Sequence, residues 1–272
     1  MNSPADPIPL LSPRYRPPGE AFQGKVVVVT GAGRGIGRAV ARALADHGAT
    51  LVLLGPDIGE LTSLHDEIIR TQGTPPILQA VDFRGASISD YDDIGEALVT
   101  RFGHLDGLLH NAGILGYHGP VLNHPPEAWH EVIQVNLQAA FGLTRACLPL
   151  LETAADASVL FTTCEWVREP RAFSAAYGVS YAAIEMLMRI LADEMEFRPH
   201  LRFNALDPGW VASAITESLF PGLPVDHWPQ PEEIVGAYLY LLGPDSRGMT
   251  GRVFGIAKAE SGVPPDRSWP DP

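Results

Sequence analysis

The stretch that most constrains this chain runs Val26-Val27-Val28-Val29-Thr30-Gly31-Ala32-Gly33-Arg34-Gly35-Ile36-Gly37. Four consecutive β-branched residues predict a strand buried on both faces, as in a parallel sheet. Ile36, Val40, Ala43 and Leu44 follow at helical spacing, so a helix begins within the glycine run. Strand, glycine turn and helix together form a cradle for a phosphate. Gly31 permits the sharp turn, Gly35 lets a pyrophosphate approach the backbone, and Gly37 lets the helix pack close to the strand. The free amides and positive dipole end of the helix face the anion.

The rest of the chain extends this pattern. Strands are expected at 50–54, 77–81, 105–110, 158–162, 201–206 and 253–256. Helices are expected at 58–71, 88–102, 126–151, 175–197 and 231–242. The alternation predicts an α/β, Rossmann-type doubly wound fold, a mainly seven-stranded parallel sheet with helices on both faces and ligands at the carboxyl ends of the strands. An apolar fraction of 46% supplies the core. Residues 22–260 read as a single dinucleotide-binding domain, between a proline-rich tail at 1–21 and another at 261–272.

The formal charge of −13 argues against nucleic acid and anionic membrane as partners, since both require a basic footprint. No apolar run stands out as long enough to span a bilayer, and the first 21 residues lack the layout of a signal peptide. Two cysteines, Cys147 and Cys164, are too few for a disulfide framework and suit a reducing cytoplasm. No metal-ligand spacing is present.

The glycine spacing, Thr-Gly-x3-Gly-x-Gly, resembles that of the short-chain dehydrogenase/reductase family. Leu109-His110-Asn111-Ala112-Gly113 resembles the family's Asn-Asn-Ala-Gly turn, and Asp207-Pro208-Gly209 its Pro-Gly stretch beside the nicotinamide. The resemblance covers roughly residues 24–257. It implies a cofactor site built from Gly31, Gly33, Arg34, Gly35, Ile36, Gly37, Asp82, Phe83, Asn111, Ala112, Gly113, Pro208, Gly209, Val211 and Ser213. Asp82 would bind the adenine edge, or else merely cap a turn. Ser213 would stand near the carboxamide. NAD-binding sheets usually place an acid after the second strand to hold the ribose 2′-hydroxyl. Gly55-Pro56 stands there instead, with Asp57 slightly beyond, while Arg34 lies inside the glycine loop. NADP(H) is therefore expected to be weakly preferred over NAD(H).

The family's catalytic tetrad is Asn, Ser, Tyr and Lys. On that resemblance Asn136 and Tyr177 fill two places, Cys164 takes the serine place and Tyr181 the lysine place. The only lysines are Lys25 and Lys258, so no neighbour substitutes, although an arginine from the 168–171 loop could reach the site. Free tyrosine titrates near 10, and lowering that by about three units takes about 4 kcal/mol, which the missing cation would largely supply. Alcohol oxidation, which needs tyrosinate, should suffer more than carbonyl reduction, which needs the neutral phenol. Three readings stay open: an atypical NADP(H)-dependent carbonyl reductase, a non-catalytic nucleotide-binding homologue acting as a structural or regulatory subunit, and an enzyme using Cys164 as nucleophile. Equally, Cys164 could be a small core residue and the two tyrosines, four apart on one helix face, could simply stack. Loops 164–173 and 210–230 are expected to cover the substrate. Their Trp166, Trp210, Phe220 and Trp228 suggest a small apolar or aromatic carbonyl or alcohol. The resemblance implies a homodimer or homotetramer.

Overall fold

The computed structural model describes residues 8–71, 73–224 and 228–257. The tail expected at 261–272 and part of the one at 1–21 lie outside them. In chain order the elements begin with β1 (Leu10–Leu11), β2 (Val26–Thr30), α1 (Gly35–Asp46), β3 (Thr50–Gly55) and α2 (Ile58–Arg70). Next come β4 (Ile77–Ala80), α3 (Ile88–Phe102), β5 (Gly107–His110), α4 (Pro126–Ile133), a π-helical turn at Gln134–Gln138, and α5 (Ala139–Thr153). The chain continues through β6 (Ala157–Thr162), α6 (Ala175–Glu194), β7 (Leu201–Asp207), α7 (Ala214–Leu219), α8 (Pro231–Leu242) and β8 (Arg252–Ile256).

The strands form one eight-stranded sheet in the order β1-β8-β7-β6-β5-β2-β3-β4, parallel throughout. The order reverses between β2 and β5, and that is where such a sheet opens a crevice at its carboxyl edge. One face packs against α1, α2 and α8 through residues such as Val40, Leu44, Leu61 and Leu239. The other packs against α3, α5 and α6 through Tyr91, Leu143, Ile184 and Met188. The fully buried side chains of β2, all five of them, meet both layers.

The structure adds an eighth strand to the seven expected. It comes from the segment read as a tail, where Leu10-Leu11 is too short and too flanked by proline to announce itself. Pairing with β8 supplies what the local sequence lacks. Gly255 N donates to Pro9 O (2.9 Å) and Ala257 N to Leu11 O (2.8 Å), so the prolines serve only as acceptors on an outer edge. The following residues cross α8, where Pro13 O and Tyr15 O lie so near Gly236 that a side chain there would collide. The Tyr15 hydroxyl donates to Asp245 (2.7 Å).

Two further differences bear on expectation. The helix expected over 126–151 is interrupted by the π-turn that carries Asn136. And α6 is, by length and composition alone, apolar enough to cross a bilayer, a run that the sequence reading passed over. Here its apolar side packs into the core through Ile184 and Met188, and its Glu185 is ion-paired with Arg189 (3.3 Å).

Candidate active site

The glycine loop between β2 and α1 has the shape its sequence requires. Gly31 (φ +64°) and Gly35 (φ +54°) lie in the left-handed region that other residues adopt only with strain. A Cβ on Gly31 would stand 3.0 Å from the Ala112 Cα, and one on Gly37 would strike the carbonyl of Gly31. Nothing lies within 4 Å of the Cβ position at Gly35, so the cradle is open on the side where a phosphate would rest. The Thr30 hydroxyl locks the two halves of the crevice together. It accepts from Asn111 N (3.0 Å) and Ala112 N (3.1 Å) and donates to Leu109 O (3.2 Å). The residues at the pyrophosphate end therefore fit a dinucleotide. Ile36 is half-buried behind the loop.

At the adenosine end, Arg34 is exposed at the N-terminus of α1 and makes no capping contact. The neighbouring Arg38 is occupied: it pairs with Glu67 (2.7 Å) and donates to Glu60 O (3.4 Å). Asp57 is spent as the cap of α2, accepting from Gly59 N (2.8 Å) and Glu60 N (3.1 Å). An acid missed by the sequence reading stands beside them. The Glu60 side chain lies across Gly33, with Oε2 2.6 Å from the Cβ position there. The first turn of α2 thus returns a carboxylate to the region where Gly55 offers none. Its only sequence signal was an acid in the first turn of a helix, an ordinary dipole preference. After β4, the Asp82 carboxylate accepts from Arg84 N (3.1 Å), the turn-capping arrangement, while remaining exposed. The Phe83 ring is buried and stacked on Tyr91.

At the other end of the crevice, Asn136 uses its whole amide. Oδ1 accepts from Ile114 N (2.8 Å), and Nδ2 donates to Ile114 O (3.1 Å) and Ser180 Oγ (3.0 Å). The π-turn aims this side chain across to the loop after β5. Tyr177 and Tyr181, on one face of α6, meet edge to face with centroids 4.8 Å apart and share a hydrogen bond. The Tyr181 hydroxyl abuts Gly113, 2.5 Å from the Cβ position there. Burial pushes both phenols well above their ordinary 10, and mutual proximity adds to the shift at Tyr177. Both are neutral at physiological pH.

Cys164 opens the turn at Glu165–Val167 and packs with Trp166, Tyr177 and Tyr181. Burial, with the nearby Asp207 carboxylate, pushes its thiol up to about 12. That disfavours the thiolate on which a nucleophilic Cys164 would depend. The arginine expected from the 168–171 loop is resolved between its two candidates. Arg171 faces Glu169 (3.4 Å) at the surface, while Arg168 turns inward to Glu185 (2.9 Å) and to Asp207. Burial raises Asp207 to about 6 despite that partner. Lys25 pairs with Asp106 (2.8 Å) at the amino end of β2, away from these groups, and Lys258 lies outside the described residues.

The Pro208–Gly209 turn follows β7, with Gly209 at φ +68° and its N–H donated to Asp207 (2.9 Å). Val211 is buried in the core. Ser213 caps α7 through Thr216 N (3.3 Å), which holds its hydroxyl at that helix end. Helix α7, inside the expected 210–230 cover, was not foreseen. Residues 225–227 of that cover lie outside the described residues. The expected aromatic side chains do gather: Trp210 meets Trp166 (5.8 Å), Phe220 (5.0 Å) and Trp228 (5.9 Å).

Comparison with known proteins places this geometry among relatives. The sequence profile described as short chain dehydrogenase matches residues 25–223. The uncharacterized oxidoreductase YciK of Escherichia coli K12 is 36% identical over 240 residues, covering 88% of this chain and 94% of its own. A Pseudomonas syringae chain solved as a short chain dehydrogenase superposes with a TM-score of 0.86 at 41% identity, over 89% of this chain and 98% of that one. A Shigella flexneri 2a chain, solved as a short chain dehydrogenase complexed with NADP, gives 0.85 at 36% identity, over 88% and 99%.

Proposed function

The chain belongs to the short chain dehydrogenase family, an oxidoreductase lineage, and from that premise we propose that it is a carbonyl reductase with an atypical tetrad, leaning towards NADP(H). The carrying observation is the place of Tyr177, buried in the first turn of α6 and packed with Cys164 and Trp166. Gly31, Gly35 and Gly37 would hold the pyrophosphate, Asn111–Gly113 would flank the nicotinamide ribose, and Gly209 and Ser213 would lie towards the carboxamide. When bound, the reduced nicotinamide supplies a hydride. Tyr177 supplies the proton to the substrate oxygen, a role that a neutral phenol fills without prior tuning. Cys164 is a thiol and a weak donor, so it polarises the carbonyl poorly but does not repel the developing negative charge. Asn136 holds the post-β5 loop and α6 in register.

Support for an NADP lean comes from the free Arg34, the absence of an acid at Gly55 and the NADP-complexed relative. Glu60 opposes a 2′-phosphate and keeps the lean weak. A homodimer or homotetramer through α5 and α6 is supported by the exposed apolar residues Phe141, Val179, Met186 and Ile190. Free Cys147 and Cys164 suit a cytoplasmic setting. A non-catalytic nucleotide-binding subunit is the second reading, favoured by the Tyr181 ring standing against Gly113 where a slim lysine would otherwise pass.

One experiment separates them. Saturable NADPH oxidation is measured with carbonyl compounds, in wild type and in the Cys164→Ser, Tyr181→Lys double variant. The reductase reading expects slow wild-type turnover and a gain of an order of magnitude or more in the variant. Alcohol oxidation should gain further, since each unit taken off the phenol pKa is about tenfold in tyrosinate. A folded, NADPH-binding double variant with no gain in either direction would establish the subunit reading.

A further inference from the structure

Trp166 sits where three parts of the active-site cover meet, and its indole is only 3% exposed. Its rings contact Tyr177 at 5.4 Å and Trp210 at 5.8 Å between centroids. His118, from the loop after β5, lies over it nearly parallel, 6.2 Å away with 27° between planes. Trp166 Nε1 and His118 Nδ1 are both buried, and neither reaches a hydrogen-bond partner. A sealed donor without an acceptor is unfavourable and rare, and an indole N–H can only donate. The Trp166 N–H, facing a ring nitrogen from another loop that is also without a partner, points to an acceptor that the described residues do not themselves provide.

The surroundings restrict what that acceptor belongs to. Burial holds the His118 imidazole below its ordinary 6.5, so the pair is uncharged at neutral pH and does not call for an anion. The neighbouring walls are aromatic. The backbone carries strain at the same place: Phe173 has φ +72°, rests edge-on against His118 at 6.1 Å, and accepts Gly119 N at 3.0 Å. A non-glycine residue persists there only when its surroundings over-determine it, and such positions gather at ligand clamps.

We propose that Trp166 Nε1–H, backed by His118, receives a second acceptor oxygen of the substrate, so that the site takes a planar aromatic dicarbonyl with one oxygen at Tyr177 and the other at Trp166. The Tyr177 and Trp166 rings meet edge to face, with centroids 5.4 Å apart, so the two donors belong to adjoining walls of one aromatic cluster. The inference rests on the reductase reading for which oxygen reacts, but not for binding itself.

The test is calorimetric titration of the NADP+-saturated protein with acenaphthenequinone and with acenaphthenone, which share a skeleton and differ by one carbonyl. The expected result is roughly tenfold tighter binding of the diketone, the scale of one buried hydrogen bond. In Trp166→Phe, which keeps a ring but loses the N–H, the two affinities should converge. Equal affinities in the wild type overturn the proposal, as does a preference that survives in Trp166→Phe. Turnover is read separately. A wild type that prefers the diketone yet never oxidises NADPH keeps this site and refutes the reductase. One that reduces carbonyls without that preference does the reverse.

Discussion

At the scale of single residues, the site turns on charges that are present where local sequence suggests none. Glu60 is the clearest case. Its carboxylate overlies Gly33 while Arg34 stands exposed one residue further on, so a 2′-phosphate would meet repulsion and attraction together. Glu60→Gln should tighten NADPH binding by roughly twofold to fivefold, the range of one partly exposed charge pair, and leave NADH unchanged. Arg34→Ala should weaken NADPH by a similar factor. Fluorescence titration of both cofactors reads both effects, and equal NADPH and NADH affinities in wild type and in both variants would refute the assignment. The same scale decides Cys164. The chemistry of a cysteine follows its surroundings, and these hold it as a thiol.

At the scale of elements, the π-turn at Gln134–Gln138 is what lets Asn136 face the loop after β5. An uninterrupted helix would rotate that amide away, and π-bulges recur at functional positions for this reason. Asn136→Ala strands Ile114 N and Ile114 O, takes from Ser180 the bond its hydroxyl accepts, and should lower stability by about 3 kcal/mol, measured by urea unfolding. The helices that sequence reading located best are those whose ends are written locally. Ser87 and Asp90 form a reciprocal cap, Gly103 closes the same helix in the left-handed conformation, and Pro231 starts α8. The glycine cradle was legible for the same reason, since its glycines answer to adjacent backbone. The position of Glu60 was not, because it depends on how α2 leans over the loop after β2. Nor was the inward turn of Arg168, which is set by carboxylates on α6 and β7. Pairings made across the sheet leave no trace in a window of ten residues.

At the scale of the whole molecule, two buried groups pull the pH dependence of stability in opposite directions. His110, held against Thr144 (2.8 Å) and stacked on Phe161, is pushed down to about 3 by burial. The unfolded chain therefore binds its proton more readily, and stability rises with pH between about 3 and 6.5. Asp207, raised to about 6, binds its proton more readily in the folded state, so its contribution falls as pH rises from 3.8 to about 6. The two largely cancel in that shared window. Asp207→Asn should unmask His110, giving a melting temperature that climbs more steeply with pH there than in wild type. Parallel profiles for the two proteins would show that these shifts are absent. The edge strand has a consequence of another kind, for the order of assembly. Leu10 lies beside Gly255, and Tyr15 reaches an aspartate 230 positions away. Contacts of such separation form late, because the loop between them has to be ordered first. Among the described strands, β1 therefore has no partner until β8 is in place, so its docking is expected to follow the formation of the sheet interior. Any truncation that removes β8 would take from β1 its one partner strand in the sheet.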